Sequence, residues 1–257
     1  MPHLTAAGAD LSATGAERLG IGIPGYAHPL LAPVEWAELA RPGTPLHWAV
    51  LNVADGPGYR PDPYCLKAAG ALRDAGVRVL GHLAMRDASG AARPFGDLVS
   101  DAHRYLDWYH VAGYLLDSCP TEREDLAEVR RLTATLETVL DAADGCHLVL
   151  GHGAHPYPGY AEIADQLVTF SGPWTEYRWS QADPWTADHP PERFAHLVHG
   201  VPRTHLEEAM RIARWQGAGT IFFTDRISEG VGQSAAFTAL PGYWDEIVSQ
   251  IGPGVSE

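Results

Sequence analysis

The run "FGDLVSDAHRYLDWYHVAGYLLDSCPTEREDLAEVRRL", Phe95 to Leu132, decides the fold. Its first part, through His110, spaces apolar side chains as one face of a helix. Val111 to Ser118 then reads as a short buried strand, and a long helix follows. Thr121 and Glu124 stand at capping-box spacing at the start of that second helix. A strand held between amphipathic helices is the repeating unit of a parallel sheet or barrel.

The same alternation runs outward in both directions. "LGIGIPGYAHP" gives a first strand ending near Tyr26 and His28, "PVEWAELA" a helix, and "LHWAVLNVADGPG" a second strand closed after Asn52. "DPYCLKAAGALRDAG" has helical spacing with Gly76 as its stop, and "VRVLGHLAM" is strand three. Beyond the opening run come the strands "CHLVLGHGAHP", "LVTFSG", "RFAHLVHGVP" and "TIFFTD", with "AEIADQ", "RTHLEEAMRIARWQGAG" and "LPGYWDEIVSQI" as helical segments. Eight strands in 257 residues predict a single (β/α)8 TIM barrel of the α/β class. A doubly wound open sheet is the rival, but no G-x-G-x-x-G fingerprint follows strand one. We expect one domain over residues 1–257, with 1–18 a flexible N-terminal extension. The irregular "GPWTEYRWSQADPWTADHPPE" is expected to form a loop over the barrel mouth.

Composition narrows the partners. A formal net charge of −14 argues against nucleic acid, whose binding needs a basic surface. No apolar run approaches the roughly 20 residues needed to cross a bilayer, so no membrane partner is expected. Cys65, Cys119 and Cys146 are odd in number and widely spaced, which suits reduced thiols. With no basic start and apolar run at the N-terminus, a cytoplasmic location is expected.

Barrel enzymes place their active sites at the C-terminal strand ends. Those ends offer Tyr26 and His28, Asn52, His82 and Arg86, Asp117 and Ser118, His152 and His155, Ser171, His199 and Asp225. Any one of these also serves as a turn former or cap, and for Asp225 we prefer that role, holding the eighth loop. Together, however, they put many histidines and two aspartates on one rim. Asp117 with His152 or His155 would make an acid–base pair, since imidazole titrates near pH 6.5. His28, His82, His152, His199, Asp117 and Asp225 are also zinc ligand types, but no HxH or HExxH spacing supports a metal. No metal and no cofactor are therefore assigned. Trp48, Tyr109, Trp174, Tyr177, Trp179 and Trp185 would suit stacking on rings, and Arg178 contact with an anion or carbonyl. Trp48, inside a strand, suits the core equally.

The segments "GIPGYAHP", "NVADGPG", "AGVRVLGHL", "RYLDWYHVAGYLLD" and "FTDR…LPGYWDEIV" resemble the spherulin-4 (spherulation-specific family 4) proteins, from about Gly20 to Val248. That resemblance implies a TIM barrel and a small-molecule or carbohydrate ligand. Some members of the family are glycoside hydrolases that cut galactosamine-containing microbial exopolysaccharide. The family pattern carries an Asp-Glu pair after strand four and a glutamate at the end of strand six. Here those positions are Asp117 with Ser118, and Ser171. An Asn-Pro-Gly type turn after strand five is replaced by "GHGAHP".

Glycoside hydrolysis normally needs two carboxyls, and a serine hydroxyl has no acidic proton to give. The expectation is thus an enzyme on this scaffold that uses Asp/His acid–base chemistry on an oxygenated or sugar-like small molecule, in specialised-metabolite biosynthesis. The rivals are a glycosidase with relocated carboxylates, such as Glu122 or Glu124, and a sugar-binding pseudoenzyme.

Overall fold

The structure is a computed structural model that describes residues 19–25, 27–140, 145–227 and 236–251. Residues 1–18 and Tyr26 lie outside the described residues. The strands are β1 (Gly20–Ile23), β2 (Leu46–Leu51), β3 (Arg78–Ala84), β4 (Gly113–Asp117), β5 (His147–Gly151), β6 (Gln166–Pro173), β7 (Phe194–His199) and β8 (Thr220–Phe223). They close in sequence order into one parallel barrel, so the predicted (β/α)8 fold is observed. Helices α1 (Pro33–Leu39), α2 (Pro63–Asp74), α3 (Phe95–Tyr109), α4 (Leu126–Leu140), α5 (Trp174–Tyr177), α6 (Leu206–Trp215) and α7 (Trp244–Ile251) occupy the connections, and β5 is followed by a 3-10 turn at Pro158–Glu162.

Local chemistry sets the helix ends. Asp62 caps α2, its Oδ1 accepting from the Tyr64 and Cys65 N–H groups, with Pro63 preset for the first turn. His110 stops α3 in the left-handed conformation at φ 52°, its N–H reaching Leu106 O. The expected capping box does not form. Thr121 donates to the neighbouring Glu122 carboxylate, and a 3-10 turn at Arg123–Asp125 precedes α4. Glu122 rather than Thr121 takes the cap position of that turn, and no side chain caps it.

The barrel interior differs at its two ends. Toward the N-terminal end, buried Trp48 donates to Gln166 at 2.7 Å, and Gln166 donates to Thr220 at 2.8 Å. His47 Nδ1 meets the same threonine hydroxyl at 2.8 Å. These groups satisfy one another across the barrel, which makes this end a filled core. The C-terminal end is open and carries the site described below. Among the described residues no helix is long and apolar enough to cross a membrane.

The tryptophan-rich segment does not lie over the mouth. It runs down the outer wall between β6 and β7, where Trp174 and Tyr177 are buried. Tyr177 Oη meets His196 Nδ1 at 2.8 Å and packs on Phe170, while Ser180 and Gln216 tie the segment to the end of α6. Its apolar rings fill the space that a longer β6–β7 helix would occupy.

Candidate active site at the barrel mouth

Register places the site. β3 and β4 pair His82 with Leu115 and Ala84 with Asp117, so His82 and Asp117 both project inward, one layer apart. The His82 Nε2 to Asp117 Oδ2 distance is 3.6 Å. The imidazole keeps 12% of its side-chain surface and the carboxylate 51%, so a sheltered imidazole backs an accessible carboxylate. The next residue, Ser118, is left-handed at φ 57°, and its hydroxyl lies 3.5 Å from the same Oδ2.

Burial opposes ionisation of Asp117, but His82 and the Ser118 N–H and hydroxyl outweigh it. Its carboxyl is held below the usual carboxylate range. Asp117 is therefore an anion, and a hydrogen-bond acceptor, at neutral pH. It opens on a cavity of about 280 Å³ lined by Leu115, Asp117, Ser118, His152, Ser171 and Leu197, among others. Gly151 forms the floor beside the carboxylate, where a Cβ would lie 3.5 Å from Asp117 Oδ1.

The other candidates divide clearly. His152 lines the cavity, yet its Nδ1 is 3.3 Å from Cys119 O and its ring packs on buried Tyr160 at 4.8 Å. Burial pushes its pKa down to about 4, so it is neutral. The pair expected between Asp117 and His152 is replaced by Asp117 with His82. His155 goes elsewhere, facing Trp185 on the outer wall, and burial lowers its pKa against the pull of Asp183. Ser171 lines the mouth, with its N–H on Gly153 O. His199 ends β7, next to Phe237, and burial lowers its pKa while Glu176 opposes the shift. Among the described residues, His82 Nδ1, His152 Nε2 and His199 Nδ1 are buried without a hydrogen-bond partner.

Several candidates serve loops instead. Asn52 Oδ1 accepts from Gly56 N in the β2 turn, and Arg86 donates to Gly90 O within its own loop. Asp225 accepts from Gly242 N and so holds the eighth loop. Trp174 packs against His205, with Arg178 near the Trp174 and Trp179 rings. Trp48, Tyr109 and Tyr177 are wholly buried core. Glu122 and Glu124 are exposed beside the start of α4. His28 turns toward Asp62 and Cys65. Glu176 was not among the sequence candidates, although an acid three residues past the end of β6 is itself a signal.

A model of the spherulation-specific family 4 matches residues 20–251. No curated protein sequence matches the chain. Among solved structures, Aspergillus clavatus Sph3 in complex with GalNAc superposes with a TM-score of 0.73 at 22% identity, over 91% of this chain and 97% of that one. A fungal endo-beta-N-acetylglucosaminidase of glycosyl hydrolase family 18 follows at 0.54 and 14% identity, over 94% and 100%. At these identities the likeness speaks to the fold.

Proposed function

The chain belongs to spherulation-specific family 4, and from that premise we propose that its barrel mouth takes a sugar-like ligand on which Asp117 acts as the base, positioned by His82. One observation carries this reading. The half-exposed Asp117 carboxylate faces a cavity of about 280 Å³ and is backed by a nearly buried imidazole. An ionised carboxylate so placed accepts a proton, or a hydrogen bond, from a sugar hydroxyl or amide. Its 3.6 Å separation from His82 is longer than a hydrogen bond, and such contacts commonly tighten when ligand binds.

The chemistry is that of one base rather than of two carboxylates. Hydrolysis by the usual route needs a second carboxyl that stays protonated. The cavity lining offers Ser118 and Ser171 instead. Proton abstraction leading to isomerisation, elimination or cyclisation of a small oxygenated molecule suits this site better than polymer cleavage. The three cysteines stand unpaired, which suits a reducing compartment such as the cytoplasm and a biosynthetic role there.

Because the superposed Sph3 holds GalNAc, amino sugars are the ligand class to test first. Calorimetric titration with N-acetylgalactosamine and galactosamine should show binding that Asp117→Asn weakens. Release of reducing ends from a partially deacetylated galactosamine polymer would instead support hydrolysis. Equal binding by the native protein and Asp117→Asn, with no turnover in either, would support a binding module.

A further inference from the structure

Outside the mouth, three metal-ligand side chains converge. His28 lies in the turn after β1, Asp62 is the cap of α2, and Cys65 follows in its first turn. His28 Nε2 is 3.4 Å from Asp62 Oδ1 and 3.4 Å from Cys65 Sγ, and the three donor atoms all lie within 4.8 Å of one another.

Two ordinary explanations fall short. Helix capping accounts for Asp62, whose Oδ1 accepts from Tyr64 N and Cys65 N, and it brings Cys65 near the carboxylate, but it does not account for the approach of His28 from the β1 turn to both. A thiol–imidazole–carboxylate nucleophile would need the thiol on one ring nitrogen and the carboxylate on the other. Here both meet Nε2, while Nδ1 accepts from Leu30 N at 3.2 Å.

We propose that His28, Asp62 and Cys65 form a three-ligand site for a zinc-class divalent transition metal, with water as the fourth ligand. Convergence on one point is what a metal requires, and a sulfur–nitrogen–oxygen set matches the borderline softness of zinc. His28 and Asp62 keep 24% and 28% of their side-chain surface, which leaves a side open for water. On coordination Cys65 releases its thiol proton to solvent and binds as thiolate. The imidazole proton moves from Nε2 to Nδ1, and Leu30 N, on an exposed residue, turns to water. The bound ion would pin the β1 turn to the start of α2.

The test is cobalt(II) titration of the metal-stripped full chain. A near-ultraviolet thiolate-to-cobalt charge-transfer band should appear, with the intense visible bands of a tetrahedral site. Cys119→Ser and Cys146→Ser should retain the band, and Cys65→Ser should lose it. Asp62→Asn preserves a helix cap, and should weaken binding by more than the about 10–100-fold that an outer-shell change costs. Nitrogen-15 spectra with zinc should show His28 switching its proton from Nε2 to Nδ1. Absence of the band in the native protein, its persistence in Cys65→Ser, or unchanged affinity in Asp62→Asn overturns the site.

Discussion

His82 Nε2 lies 3.6 Å from Asp117 Oδ2, across neighbouring strands and one layer apart in the barrel interior. If Asp117 is the base, Asp117→Asn should lower turnover by about 10²–10⁴-fold, the usual worth of a positioned acid–base group. His82→Gln tests positioning separately. It leaves the carboxylate in place but removes the partner that favours its ionised form. The acidic limb of the pH profile for activity, or for ligand binding, should then move to higher pH. A purely structural histidine would alter stability and leave that limb where it was.

Acid sensitivity follows from the buried imidazoles. Burial sets His152 at about 4 and His196 at about 3, against about 6.5 in the unfolded chain. As pH falls from 6.5 toward 4, the unfolded chain binds protons that the folded chain refuses, so stability falls, by about 1.4 kcal/mol per unit for each histidine. Asp117 acts lower. Its folded carboxyl titrates beneath the ordinary range, so its contribution is full above about pH 4 and is lost only as pH falls through that lower value. Urea unfolding midpoints from pH 7 to 4 should show the decline, and His152→Gln should flatten it by about one proton.

The barrel was legible because strand and helix periods alternate and every strand is short and apolar. Asp117 was legible for a related reason, since it is the first acid after a buried run. Its partner was not. His82 and His152 both sit near strand ends, and only register and side-chain parity decide that His82 points inward while His152 turns to Cys119 O. Trp174 misled because a proline-rich segment looked free of core duties, whereas the wall between β6 and β7 needed its rings. His155 misled because its turn follows β5, next to β4 in barrel order, yet its ring faces Trp185. The meeting of His28 with Cys65 spans 37 residues of sequence and depends on how two loops close, which no local pattern records.

Ser118 offers a test of how Asp117 is held. A non-glycine residue at φ 57° carries about 1–2 kcal/mol of backbone strain, which glycine relieves. Glycine also adds freedom to the unfolded chain, about 0.4–1 kcal/mol in the opposite sense. Ser118→Gly should therefore be neutral to about 1.6 kcal/mol more stable by urea denaturation. The backbone N–H, which glycine keeps, supports the Asp117 carboxylate more than the hydroxyl does. The acidic limb of the pH profile should accordingly hold nearly still. A large upward move would make the hydroxyl the main support.

Gly151 separates the site from the fold. A Cβ there would stand 3.1 Å from Leu116 O, 3.4 Å from Asp117 Cα and 3.5 Å from Asp117 Oδ1. The first contact is tight and involves backbone, so β4 and β5 must part slightly, at about 1–3 kcal/mol for an overpacked position. The carboxylate lies directly in the path of that adjustment, and its spacing from His82 changes with it. Gly151→Ala should stay folded with a lowered urea midpoint, while ligand affinity or turnover falls further than the lost stability explains. Gly113→Ala is the contrast, because its Cβ would run into the His147 carbonyl between the same two strands. That backbone has no flexible end to move aside, so Gly113→Ala should fail to give soluble folded protein. If Gly151→Ala keeps full affinity, Asp117 is not held against its floor and the proposed base is misplaced.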